Sequence, residues 1–176
     1  MIVSLPLVID SYIKDYVLNF VSTSDSMLWT NNTTGNTFNR RFFALNKHNL
    51  HLTKIIKEYS KHIYSQFNIT RQKDEEQFGN FIGYNYQGGY VHPHTDRSSS
   101  EGWEHVRINF LISKPHLGGN PVIENKEYNI MEDNAWLNLA SRWVHSSTPV
   151  GGSKPRVVLS LGAFVSPEEL NEAKIY

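Results

Sequence analysis

Apolar residues recur at helical spacing in two stretches of the first half of the chain. In SYIKDYVLNFV, Tyr12, Ile13, Tyr16, Val17, Phe20 and Val21 fall on one side of a helix, behind a cap at Asp10 or Ser11. In NLHLTKIIKEYSKHIYSQF, Leu52, Ile55, Ile56, Tyr59, Ile63 and Tyr64 do the same. The stretch between them, STSDSMLWTNNTTGNTFNRR, has no period and reads as a long loop or irregular hairpin. From Gln77 the pattern changes to short β-type runs: FGNFIGYNY, GYVHPH, HVRINFLIS, NPVIEN, EYNIM, AWLNLA and RVVLSLGAFV, separated by Gly88–Gly89, Gly118–Gly119–Asn120 and Gly151–Gly152. SPEEL, with Ser166, Pro167 and Glu169, starts a capped helix. No repeat or linker divides the chain, so residues 1–176 form one domain of α+β class, mainly β. The expected architecture is a sandwich or barrel with the helices buttressing one face.

Side chains two apart on a strand share a face. In HVRINFLIS this puts Val106, Ile108, Phe110 and Ile112 on one side and Arg107 and Asn109 on the other. In RVVLSLGAFV, Arg156, Val158 and Ser160 fall together, opposite Val157, Leu159 and Leu161. Taken alone, either arginine face is a solvent face. If GYVHPHTD is extended, His92, His94 and Asp96 also share a side.

Composition narrows the chemistry. The chain has 176 residues, with 17 Lys plus Arg against 17 Asp plus Glu, so no global field attracts nucleic acid or an anionic membrane. With no cysteine, any metal must be held by imidazole and carboxylate. The start, MIVSLPLVIDSYIKD, lacks a basic region, and no apolar run reaches the length of a membrane span; the expectation is a soluble, cytoplasmic protein. Asn31, Asn32 and Asn68 match the glycosylation tripeptide by chance on that view.

The order of four residues outweighs the solvent-face reading. His94-x-Asp96 is followed by His145 near a strand-like run and then by Arg156. Two histidines and a carboxylate on one side of a metal leave positions open for cosubstrate and oxygen. At these residues the chain resembles the 2-oxoglutarate- and iron(II)-dependent dioxygenases, whose pattern is H-x-D, a histidine roughly fifty residues on, and a basic residue about ten further. The resemblance spans roughly Tyr84 to Val165, about half the chain; a bare H-x-D is common, but the four-part pattern on β-type segments is specific. HVRINFLISKP, GGNPV, AWLNLASRWVHSSTPV and KPRVVLSLGAFV are most similar to the aspartyl/asparaginyl β-hydroxylase and free-proline hydroxylase branch, while GGYVHPHTD also resembles prolyl 4-hydroxylases. Aspartyl/asparaginyl β-hydroxylases proper lack the carboxylate ligand, whereas Asp96 is present here.

The resemblance implies a double-stranded β-helix, or jelly roll, with N-terminal helices. It implies iron(II) held by His94, Asp96 and His145, and 2-oxoglutarate as cosubstrate, its far carboxylate on Arg156 with help from Ser160 and Arg107. Oxygen is consumed, succinate and CO2 are released, and an amino-acid side chain, protein-bound or free, is hydroxylated. His92 then lies behind the ligands or in the cosubstrate pocket, His105 and His116 are exposed, and His48, His51 and His62 are surface residues. Trp29, Tyr84, Tyr86, Tyr90, Trp103 and Arg97 are expected at the rim, with RSSSEGWE and residues 23–40 as lids.

Three competitors remain. Alkylated-base demethylases carry a second arginine six residues after the first, where this chain has Gly162. A cupin-type metal enzyme using His92, His94 and His145 needs a glutamate nearer than Glu101. A non-enzymatic jelly-roll binding or structural module explains the strands but not the ordered histidines, aspartate and arginine.

Overall fold

A computed structural model describes the chain except for residues 1–2, 32–38, 49, 71, 76–77, 97–101 and 174–176. Among the described residues the order is β1 (Ser4–Val8), α1 (Ser11–Thr23), β2 (Thr30–Asn31), β3 (Arg40–Ala44), α2 (His51–Ser65), β4 (Gln72–Asp74), β5 (Phe81–Asn85), β6 (Glu104–Ser113), β7 (Leu117–Gly118), β8 (Pro121–Ile123), β9 (Lys126–Glu127), β10 (Asn134–Leu139), β11 (His145–Ser147), β12 (Val150–Gly151), β13 (Arg156–Val165) and α3 (Pro167–Glu172). Every pairing is antiparallel. The main sheet runs β1-β10-β6-β13-β5-β3-β2, with β4 on the far end of β13; β11-β8-β9 and β12-β7 form smaller sheets.

Local chemistry sets the helix ends. The Asp10 carboxylate accepts from the Tyr12 amide at the start of α1, and Ser166 accepts from the Glu169 amide at the start of α3, with Pro167 in its first turn. Helix α1 buries Ile13 and Val17, and α2 buries Leu52, Ile56, Ile63 and Tyr64. Both pack in one core with Val106, Ile108, Phe110 and Ile112 of β6 and Leu159 and Leu161 of β13. The buried Tyr64 hydroxyl lies 3.0 Å from the Val106 carbonyl and 2.9 Å from that of Leu161, tying α2 to adjacent strands. The apolar parity of β6 and β13 therefore faces the helices. On the opposite face Ile123 of β8 packs against Leu111, Trp136 and Val158, so the three-stranded sheet covers the polar parity.

One element differs from the sequence pattern. GYVHPH forms no strand: apart from the isolated bridge at His94 it is tied by separate bonds, Ser147 N–H to Val91 O at 3.1 Å and Val150 N–H to Gly89 O at 3.0 Å, because Pro93 has no amide to donate and Gly88 takes a positive φ of 78°. The polar stretch after α1 agrees with the irregular-hairpin reading: Thr30 and Asn31 of β2 pair with Phe42 and Arg41 of β3, which in turn runs beside β5.

Helix α1 is also fastened by charge. Lys14 reaches Glu132 (3.3 Å) and Asp133 (2.5 Å), and Glu132 accepts from Lys154 (2.6 Å) and the Lys114 amide (2.9 Å). Partial burial works against the Glu132 charge, but the Lys114 amide, Lys154 and Lys14 outweigh it and bring the carboxyl down to about 2. A folded-state value below the unfolded one stabilises the protein above the unfolded value and is lost as pH falls through about 2. Glu132 is partly exposed, so Glu132→Gln should cost only about 1 kcal/mol at pH 7 and little at pH 2. Urea denaturation at the two pH values checks this.

Candidate active site

His94 and His145 sit opposite one another on a two-way backbone bridge, His94 N–H to His145 O at 3.1 Å and His145 N–H to His94 O at 2.9 Å. The Asp96 amide donates to Ala140 O at 2.7 Å, fixing the third residue beside the end of β10. Each imidazole is then oriented by a carbonyl two residues upstream. His94 Nδ1 lies 2.6 Å from His92 O, and His145 Nδ1 lies 3.0 Å from Trp143 O. A ring nitrogen facing a carbonyl carries the proton, which leaves the Nε2 lone pairs free. Both Nε2 atoms face Asp96 Oδ1, at 3.3 Å and 3.7 Å. One ligand atom from each of the three residues lies within 4.8 Å of the others. Two imidazole nitrogens and a carboxylate oxygen, all on one side, fit a divalent transition metal with open positions.

Electrostatics prepares the same set. Burial and the neighbouring His94 pull His145 down to about 4, so its ring is neutral at physiological pH. The hydrogen bond that the protonated ring can make from Nε2 to Asp96 raises His94 above its ordinary value. Burial opposes the Asp96 charge, yet His94, Arg107, His145 and His105 together hold the carboxyl well below the usual range.

Arg107 has a different neighbourhood from the one expected. Its Nε donates to Asp96 Oδ2 at 3.0 Å, one terminal nitrogen to Glu75 at 3.0 Å, and the other to Gly79 O at 3.1 Å. Asp96 Oδ2 is thereby occupied by Arg107 while Oδ1 faces the histidines. The Ser160 hydroxyl, fully buried, lies 3.4 Å from Arg107 rather than on the cavity wall. Glu75, buried at 4% exposure, also accepts from the Phe78 and Gly79 amides at 2.9 and 2.7 Å. Gly162 pairs with Arg107 across β13 and β6, and a Cβ there would come within 2.6 Å of the guanidinium. A second arginine at 162 has no room because Arg107 fills that space.

The three metal-competent residues open onto a cavity of about 680 Å³. Strands β5, β6, β10 and β13 contribute Asn85, Asn109, Asn138 and Arg156, and β8 closes the other side with Pro121 and Ile123. Arg156 is 5% exposed; its Nε donates to Gly119 O at 2.6 Å and its guanidinium lies 5.6 Å from the Trp136 ring centre. Among the described residues no carboxylate pairs with it. Burial and the charge of Arg40 bring Arg156 down to about 9, still a cation at neutral pH. Gly119 has a φ of 68°, and a Cβ there would sit 3.1 Å from Arg156 Cδ, so glycine is required where the loop meets the arginine.

Several expected positions are filled differently. The His92 ring is exposed and absent from the cavity wall; only its carbonyl serves, by orienting His94. His105 is buried at 2% exposure, 3.7 Å from Asp96, with neither ring nitrogen hydrogen-bonded among the described residues, and burial and Arg107 bring it down to about 4. His48 stacks on Phe43 at 4.4 Å rather than lying on a free helix face. Trp29, Tyr84 and Tyr86 enclose Arg41 at 4.3, 4.7 and 5.6 Å, and none of them lines the cavity. Phe42, Phe78, Phe81 and Trp136 are its aromatic wall instead. Arg97 and Glu101 lie outside the described residues. Arg40 was missed altogether, although alternation through NRRFFA separates Arg40 and Phe42 from Arg41 and Phe43 by the test that placed Arg107 and Arg156.

No family profile matches the chain, and no curated protein matches it. Solved structures do. A Pseudomonas putida prolyl-4-hydroxylase superposes with a TM-score of 0.61 at 11% identity, over 89% of this chain and 87% of that one. A Trichoplax adhaerens prolyl hydroxylase in complex with a hypoxia-inducible-factor degradation-domain peptide gives 0.63 at 16%, over 90% and 79%. The epimerase SnoN, in complex with Fe3+, α-ketoglutarate and a nogalamycin compound, gives 0.66 at 11%, over 92% and 77%. The chain thus has the fold found in 2-oxoglutarate- and iron-dependent oxygenases. No helix among the described residues is long and apolar enough to cross a membrane.

Proposed function

We propose that this chain is a 2-oxoglutarate- and iron(II)-dependent dioxygenase that hydroxylates an amino-acid side chain, free or protein-bound, on a double-stranded β-helix. The observation that carries the reading is the convergence of the His94, Asp96 and His145 donor atoms on a cavity that also holds an arginine without a carboxylate partner, Arg156. The fold of prolyl hydroxylases, one of them bound to a peptide, supports a peptide or amino-acid acceptor.

His94 Nε2, His145 Nε2 and Asp96 Oδ1 would hold iron(II), with both rings already in the tautomer that donates from Nε2. Iron(II) with 2-oxoglutarate and oxygen supplies oxidative decarboxylation to succinate and CO2 and hydroxylation of a C–H bond. Arg107 positions Asp96 by engaging its other oxygen. The Arg156 guanidinium would take the far carboxylate of the dicarboxylate in a two-pronged bond. Phe42, Phe81, Trp136 and Ile123 keep the wall apolar and limit water.

Anaerobic titration with iron(II) and 2-oxoglutarate tests this through the weak visible charge-transfer band of the chelate. Arg156→Gln is expected to weaken 2-oxoglutarate binding by about ten- to a hundred-fold, the loss of a charge-assisted interaction. An unchanged affinity would place the carboxylate elsewhere. Succinate release across free amino acids, peptide pools and alkylated oligonucleotides then reads the acceptor; stimulation by oligonucleotide alone would overturn it.

A further inference from the structure

Arg40, Asn85 and Arg156 form a row across three strands. Arg40 pairs with Asn85 between β3 and β5, and Arg156 pairs with the same Asn85 between β13 and β5. All three side chains line the cavity. Asn85 is fully buried, and neither its amide oxygen nor its amide nitrogen has a partner among the described residues. The Nε of Arg40 is likewise sealed from solvent without a partner, and no carboxylate among the described residues forms an ion pair with it. Burial brings Arg40 down to about 10 despite the attraction of the Asp96 carboxylate, which lies beyond ion-pair distance, so Arg40 keeps its charge at neutral pH. Beside it Phe42 meets Phe78 and Phe81 edge-on at 5.4 and 6.3 Å, forming an apolar wall.

The charges of the site do not balance once the cosubstrate is counted. Among the described residues three guanidinium cations face the cavity or its floor, Arg40, Arg107 and Arg156, against two carboxylates, Asp96 and Glu75. Arg107 is bonded to both carboxylates. A divalent metal and a dianionic cosubstrate cancel each other, and Arg156 takes the cosubstrate's far end. One cation, Arg40, is left in a partly desolvated place, which is costly unless an anion meets it. We propose that Arg40, with Asn85 beside it, anchors a carboxylate of the substrate to be oxidised, so that the acceptor is a carboxylate-bearing small molecule with an apolar body against Phe42, Phe78 and Phe81. The inside of a peptide chain offers a neutral backbone there, and a cavity of about 680 Å³ is of small-ligand size. This inference rests on the dioxygenase reading above and narrows its acceptor.

The test uses the protein loaded anaerobically with iron(II) and 2-oxoglutarate, titrated with 3-phenylpropanoate and with 3-phenylpropanamide. The two probes share a shape and differ in charge. Binding is followed by tryptophan fluorescence and by the shift of the visible band. The acid is expected to bind the wild-type protein about ten- to a hundred-fold more tightly than the amide. Arg40→Gln should erase that ratio, Arg40→Lys should keep part of it, and 2-oxoglutarate affinity should stay within about threefold in both, with circular dichroism confirming the fold. Equal binding of acid and amide to the wild type, or binding of neither, would overturn the proposal. So would an Arg40→Gln protein that loses 2-oxoglutarate affinity as far as Arg156→Gln does, since Arg40 would then belong to the cosubstrate clamp. Absence of the visible band in the wild type at saturating 2-oxoglutarate would instead remove the dioxygenase reading beneath it.

Discussion

Replacing His145 with alanine is expected to abolish stable iron(II) binding, by at least about a hundred-fold in affinity, while leaving a folded chain. Loss of a residue that merely orients a ligand costs about ten- to a hundred-fold, and His145 supplies a donor atom itself. The fold should survive because the contact between positions 94 and 145 is made by backbone groups in both directions, and alanine keeps them. The imidazole also gives little to the apo protein: it is neutral, half-buried, and among the described residues hydrogen-bonded only to the Trp143 carbonyl. His94→Ala should behave alike. Asp96→Ala should lose hydroxylation too, but it removes a partner of Arg107 and will cost stability as well. Metal content after anaerobic gel filtration, with circular dichroism for the fold, checks these outcomes. A His145→Ala protein that retains one equivalent of iron and full turnover would end the assignment.

The second large effect is expected from Arg107→Ala, and it falls on stability. The substitution leaves Glu75 and Asp96 without their shared guanidinium, and Glu75 is 4% exposed. Breaking a buried ion pair from one side costs about 3–5 kcal/mol, because the remaining charge has lost both water and partner. For a chain of this length that corresponds to a fall in melting temperature of roughly 10 °C. Glu75→Gln combined with Arg107→Met should recover more than half of the loss, since the charge is removed on both sides. Arg156→Met should instead be neutral or stabilising in the apo protein, because among the described residues Arg156 has no carboxylate partner to strand and bonds only the Gly119 carbonyl. Thermal melts of the four proteins separate the two arginines. A loss for Arg156→Met as large as that for Arg107→Ala would mean that both are structural.

These outcomes show how far the sequence reaches into the site. Helices α1 and α2 were legible because burial of one face imposes a period of 3.6 residues, visible in Ile13 and Val17 and in Leu52, Ile56 and Ile63. The faces of β6 and β13 were legible because a strand alternates strictly, so Ile108 and Arg107 had to part ways. Parity could not say which arginine stays free. Arg107 and Arg156 look equivalent along the chain, yet Glu75 and Asp96 reach only Arg107. Glu75 itself gives no sign among the charges of KDEE.

By itself, then, the sequence determined the helices and the alternating faces of the long strands, because each follows from a period along one chain; His94, Asp96, His145 and Arg156 entered through their resemblance to a family pattern. Only the tertiary structure decided that GYVHPH would form no regular strand and that His105 would be buried beside Asp96. It also decided that the aromatic wall would come from Phe42, Phe78 and Phe81, and that Arg40 would stand in line with Arg156 across Asn85. Those outcomes depend on which strands lie side by side and in what register, a matter of global packing in which residues more than a hundred positions apart compete for the same space.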